Sequence, residues 1–182
     1  MNYFTSMSQV LGFKPAAVKG LRLKQLQYFC IINVLVLGLV YGSSAAFFSK
    51  IVLIGKGYDA SSFNALKIVV AGVPVAFLMH AGAALFVWVF LSAIGGKANF
   101  ILSYFTMGVA AISLWPLALF VAALQTGSRM PFMMGLTVFF SLYAFAVTVR
   151  VIKDAFRLTQ VKMAIATSVT MIYIGCFLYL WV

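Results

Sequence analysis

Negative charge is almost missing from this chain. Its 182 residues hold two acids, Asp59 and Asp154, against 13 Lys and Arg, for a net charge of +11. Charged residues make up 8% of the whole, where a soluble domain carries about a quarter. That scarcity excludes a water-soluble globule, and the oily remainder excludes a disordered chain. Two acids in separate polar segments make no carboxylate pair. One histidine, His80, and two cysteines, Cys30 and Cys176, are too few for an ordinary zinc site. The cysteines fall about 20 Å apart in depth, too far for a disulfide. Gly95-Gly96 is too little for a phosphate-cradling loop. These absences predict a protein that is not an enzyme and takes no metal or cofactor.

What fills the chain is apolar: 65% of it is hydrophobic and the mean hydropathy is +1.12. A helix crossing the hydrocarbon of a bilayer needs about 20 such residues. Five runs qualify, at 27–48, 68–94, 100–124, 131–149 and 163–182, the first with a possible extension through 51–54. They are continuous and too long for the alternating segments of a spanning barrel. The expected fold is therefore all-α: a polytopic membrane protein with a five-helix transmembrane bundle over 27–182. Connections are short, which makes successive helices antiparallel neighbours. The longest, after the first run, carries the turn signal Gly55-Lys56-Gly57. Asp59, Ser61 or Ser62 is its expected helix cap. The first run also has small residues at Ser44-Ala45-Ala46, as a cleaved signal does. It exceeds the 7–15 apolar residues usual there, so it is expected to be a retained anchor.

Residues 1–26 form a basic leader. Phe4, Met7, Leu11, Val18 and Leu21 recur at helical steps, and Lys14, Lys19, Arg22 and Lys24 mark a basic side. That pattern predicts a short amphipathic helix in the headgroup plane, broken near Pro15. The alternative is a frayed tail whose lysines only set orientation. With the N-terminus in the cytoplasm, Lys14, Lys19, Arg22, Lys24, Lys97, Arg150, Lys153, Arg157 and Lys162 lie inside. Lys50, Lys56, Lys67 and Arg129 lie outside. That bias obeys the positive-inside rule and puts the C-terminus outside. The basic excess sits at span ends, so it points to lipid headgroups and not to nucleic acid.

Ionisable groups within the bilayer are functional pointers by default. Only His80 qualifies, and Ser113, Ser141, Tyr143 and Tyr173 share its expected depth. Together they are a candidate mid-membrane polar site. The competing reading is a packed neutral histidine bonded to a hydroxyl or a backbone carbonyl. Pro74 and Pro116 interrupt the second and third runs, as in helices that line transport sites, or as plain packing kinks. Gly38 and Gly42 form a small-xxx-small step, and Ala76, His80 and Ala84 a similar row. Both suit close helix packing, within the chain or between copies. Arg150, Lys153 and Arg157 share one helical face, with Asp154 placed to pair with Arg150 or Arg157. The fourth helix is thus expected to run on into the cytoplasm. With Lys14, Lys19, Arg22, Lys24 and Lys162, this face is a candidate surface for anionic headgroups or an acidic partner.

The second half resembles the Yip-domain family, five-span membrane proteins named for interaction with Ypt/Rab GTPases. The resemblance rests on 91–100 (LSAIGGKANF), Ser103-Tyr104-Phe105, Trp115-Pro116, Leu142-Tyr143-Ala144 and 155–164 (AFRLTQVKMA). It implies five helices, a cytoplasmic N-terminus and an external C-terminus. The short leader is similar to that of bacterial members, which implies a bacterial inner membrane. The family supplies no catalytic motif. The expected function is that of a membrane-organising or adaptor protein with lipid, protein or self partners. The alternative is a small transporter or lipid-handling channel around His80, Pro74 and Pro116.

Overall fold

A computed structural model describes residues 2–14, 18, 20–59, 61, 63–95, 99–127, 131–156 and 158–168. Among these there are helices and turns and no strand. A short helix α1 (Tyr3–Leu11) precedes α2 (Leu23–Gly55) and α3 (Ala65–Ala93). Then come α4 (Phe100–Ala110), a 3-10 turn (Ala111–Leu114) and α5 (Trp115–Gln125), followed by α6 (Pro131–Phe156). Residues 160–168 are again helical. Four stretches are long and apolar enough to cross a membrane: α2, α3, the α4–α5 unit and α6. This is consistent with an integral membrane protein. Most of the fifth expected run, with Tyr173 and Cys176, lies outside the described residues, as do Pro15, Lys19, Lys97, Arg129 and Arg157.

The helix ends differ in detail from expectation. The cap of α3 is Asn64, whose Oδ1 accepts the Lys67 N–H at 3.1 Å. Asp59 instead closes its own small turn, accepting the Ser61 N–H at 2.8 Å and the Ser61 hydroxyl at 2.6 Å. Those bonds hold the Asp59 carboxyl below its usual range. Asn99 caps α4 through a 2.7 Å bond from the Leu102 N–H, and the Arg22 N–H at the start of α2 donates to Gln25 Oε1. Each asparagine satisfies one orphan donor of its first turn. Asn64→Ala and Asn99→Ala are each expected to cost about 1 kcal/mol, read as a lowered midpoint in thermal unfolding in detergent. Helix α6 does run past the apolar stretch, to Phe156.

Glycines set the tightest seam. Gly38 and Gly42 of α2 face Gly72 of α3, so the small-xxx-small step works within the chain. A Cβ on Gly72 would lie 2.5 Å from the Gly38 carbonyl oxygen and 2.8 Å from the Gly42 Cα. Ala76, one turn further along α3, also meets Gly38. Gly108 of α4 is pressed against Cys30 of α2, with no room for a side chain. At the far end of α5, Tyr41 donates to Gln125 Oε1 at 2.7 Å. Since α2 continues to Gly55, it and α3 overshoot α5 by several turns.

The third crossing breaks at its proline. Pro116 has no N–H and its ring crowds the carbonyl four residues back, so the chain tightens into the 3-10 turn just before it. Pro74 sits inside α3 without ending it.

The leader packs on the bundle. In α1, Ser6, Met7 and Val10 are buried, and Met7 and Val10 join a core with Val18, Leu21, Leu26, Phe29, Val109 and Val147. Tyr143 of α6 donates to the Leu11 carbonyl at 2.9 Å, and the Phe13 ring stands edge-on to Tyr143. Of the apolar side expected to lie on lipid, Met7, Val18 and Leu21 face protein, while Phe4 is 77% exposed.

Candidate functional site

Apart from Ser6 of α1, the buried polar side chains among the described residues gather on α2, α3 and the broken third stretch. His80 is 7% exposed, and its Nε2 lies 2.9 Å from the Tyr104 carbonyl oxygen of α4. A carbonyl can only accept, so Nε2 is the donor of this bond. Cys30 Sγ stands 3.6 Å from the same nitrogen and 3.8 Å from the same carbonyl. The Tyr104 ring meets the imidazole edge-on at 4.5 Å. Below this group, the Ser103 hydroxyl donates to the Ala84 carbonyl at 3.2 Å. Thus α3 is held to α4 through side chain to backbone bonds at two levels.

Asn33 is the hub of the second polar group and is fully buried. Its Nδ2 donates to the carbonyls of Gly108 at 3.1 Å and Val109 at 3.2 Å. Both belong to the last turn of α4, where the chain tightens into the 3-10 turn and the Gly108 carbonyl also accepts the Ala111 N–H. The Ser113 hydroxyl supplies a further donor, to the Ala110 carbonyl at 2.7 Å. Trp115 Nε1 donates to the Asn33 carbonyl at 3.0 Å. The Tyr3 hydroxyl donates to Asn33 Oδ1, which ties α1 to the same point. Burial pushes the Tyr3 phenol up, with a lesser push from Tyr28, so it remains a neutral donor. The chemistry of this hub is structural: it ties α1 and α2 to the carbonyls beside the 3-10 turn.

The expected mid-membrane cluster does not assemble. His80 is satisfied by a carbonyl and not by a hydroxyl. Ser113 bonds within its own segment, and Tyr143 turns to the leader. Ser141 is exposed on a groove between α3 and α6. Equal depth along separate helices did not mean equal direction around them. Tyr173 lies outside the described residues. Asn33 was not singled out in the sequence, although it is the one carboxamide between Tyr28 and Phe48. An amide within so oily a run needs partners, and that was the available signal.

The basic residues spread over one end of the bundle. Lys14, Arg22 and Lys24 are exposed. Arg150 Nε is 3.3 Å from Asp154 Oδ2, the i,i+4 ion pair expected. Lys162 Nζ reaches the Gly95 carbonyl at 3.5 Å, bridging the end of α3 to the last described helix. Lys19 and Arg157 fall outside the described residues. A groove of about 690 Å³ opens between α6 and residues 160–168, with Arg150 and Lys153 at its rim. A second, of about 600 Å³, runs between α3 and α6 and is almost wholly apolar.

No family model, no curated protein and no solved structure matches this chain.

Proposed function

We propose that this chain is a non-enzymatic, membrane-organising adaptor of the bacterial inner membrane, similar in layout to the Yip-domain proteins. In this reading residues 163–182 make a fifth crossing. The N-terminus is cytoplasmic, the C-terminus is periplasmic, and the basic end meets anionic headgroups. One observation carries the proposal. Among the described residues, buried Asn33, His80 and Ser103 are spent on bonds between helices, while open volume lies in lateral grooves beside α6. A bundle so arranged presents its sides to lipid or to other membrane proteins and offers no polar path through its centre.

The transporter reading has one feature in its favour, the 3-10 break beside Pro116. An apolar groove of about 460 Å³ adjoins it, with Trp115 and Tyr143 on its walls. Cysteine accessibility separates the two. In a background with Cys30 and Cys176 replaced by alanine, His80→Cys and Ser113→Cys are exposed in sealed and opened vesicles to a membrane-impermeant maleimide. The adaptor reading expects neither to react without denaturant. Lys24→Cys should label only from the cytoplasmic side and Lys56→Cys only from the other. Reaction at position 80 or 113 in the folded protein means a water path at mid-depth and overturns the adaptor.

A further inference from the structure

We infer that the groove between α6 and residues 160–168 is a binding site for one anionic phospholipid, its phosphodiester held by Arg150 and Lys153. The inference deepens the headgroup contact proposed above and rests on it, but it assigns that contact to a built slot. Three observations carry it.

The first is charge. Arg150 and Lys153 stand at the rim of the groove with Asp154 beside Arg150. Two cations against one carboxylate leave a single positive charge, which a monoanionic phosphodiester balances. The Gln160 side chain stands at the same rim and adds a neutral amide for hydrogen bonding.

The second is direction. From Lys153 the wall of the groove passes along α6 through Val149 to Phe145, with Met163 opposite. The eight residue steps between Lys153 and Phe145 rise about 12 Å. The cations are at the cytoplasmic end of the helix, and the apolar wall leads from them toward the bilayer interior. A headgroup and the upper part of an acyl chain have that same order of charge and oil.

The third is width. Ala146 and Ala164 both line the slot and both are exposed. Small side chains there leave the slot open between the two helices, and Phe13 of the leader also lines it. A soluble anion would use the rim alone and leave this wall uncovered, and an acidic peptide would leave its apolar length unmatched. The occupant we assign is therefore membrane lipid.

Native mass spectrometry tests the assignment, with the full chain released from nanodiscs of phosphatidylcholine containing a minority of phosphatidylglycerol. The expected result is one tightly held phosphatidylglycerol on the natural chain. Arg150→Gln with Lys153→Gln should weaken it about tenfold or more, since each charge-assisted bond contributes on the order of 1 kcal/mol. Ala146→Phe and, separately, Ala164→Phe should expel it with every charge in place. Both positions are exposed, so either variant can serve if the other folds poorly. Arg22→Gln with Lys24→Gln should leave it bound. If the Arg22 and Lys24 changes weaken binding as much as those at the rim, and the phenylalanines have no effect, the slot is refuted and only diffuse headgroup attraction stands. If phosphatidylglycerol is held no better than phosphatidylcholine, the slot and the headgroup reading both fall.

Discussion

Gly72→Val is expected to be the most damaging single change in the chain, at about 3 kcal/mol or more. The first atom of the new side chain meets the Gly38 carbonyl oxygen and the Gly42 Cα. Those are backbone atoms on a facing helix, so no rotamer change relieves the clash. The two helices must separate, and dispersion contacts along their whole shared length weaken together. Gly38→Val should do similar harm, because its Cβ would come within 2.7 Å of the Val73 Cα. Gly82→Ala and Gly135→Ala are the controls. Nothing lies within 4 Å of a Cβ at either position, and alanine favours helix by about 0.5–1 kcal/mol. Thermal unfolding in detergent, with gel filtration for dispersity, reads all four. A Gly72→Val protein as stable as the controls would mean that α2 and α3 do not meet at this register.

Asn33→Leu should cost about 2 kcal/mol. Leucine keeps the forked shape of asparagine and is more at home in an oily helix, but its methyls are bulkier, so crowding at this fully buried site adds to the loss. What is lost is the donor pair on the Gly108 and Val109 carbonyls and the acceptor for Tyr3. Polar groups left without partners in an apolar interior keep their full desolvation cost. Interhelical bonds in membranes average less than this, about 0.6 kcal/mol with a maximum near 1.7. Asn33 is expected to exceed that average because it makes three bonds at once, to two carbonyls beside the 3-10 turn and from the Tyr3 hydroxyl. Tyr3→Phe removes only the tie to α1 and should cost about 0.5–1 kcal/mol. Amide hydrogen exchange distinguishes the two. Tyr3→Phe should speed exchange over residues 3–11 several-fold and leave the third crossing unchanged. Asn33→Leu should speed both, the region around the 3-10 turn by about tenfold or more, since 1.4 kcal/mol is a factor of ten. Unchanged exchange around 108–115 would show that Asn33 does not brace the break.

The crossings were legible because length and oiliness alone decide them, and helices α2, α3, α4–α5 and α6 stand where four of the five apolar runs stand. Their ends were less so. Lys50 sits within α2 and Arg150 and Lys153 within α6, since a charged side chain can reach for water while its backbone stays helical. Caps turn on one side-chain geometry, and Asn64 won over Asp59 because Asp59 bonds Ser61 more locally. Gly38 and Gly42 were found as a step, but their partner Gly72 was not, since a spacing on one helix does not name the facing residue. The same limit dispersed the candidate polar site. Depth is counted along the sequence, whereas the azimuth of His80 toward Tyr104, and of Tyr143 toward Leu11, is set by packing between helices. The leader's burial was hidden for the same reason: an amphipathic spacing fits lipid and protein equally well.

The unequal reach of the helices has a consequence for the surrounding bilayer. Helix α2 has 33 residues, about 50 Å of rise, against a hydrocarbon layer of about 30 Å. Its outer turns and those of α3 carry exposed Phe47, Ile51, Ile54, Leu66 and Val70. Leaning or local thickening of the lipid must hide them, at a fraction of a kcal/mol per Å. Such a shape is expected to act as a depth gauge: in a sheet of uneven thickness, the protein should collect where the acyl chains are longest.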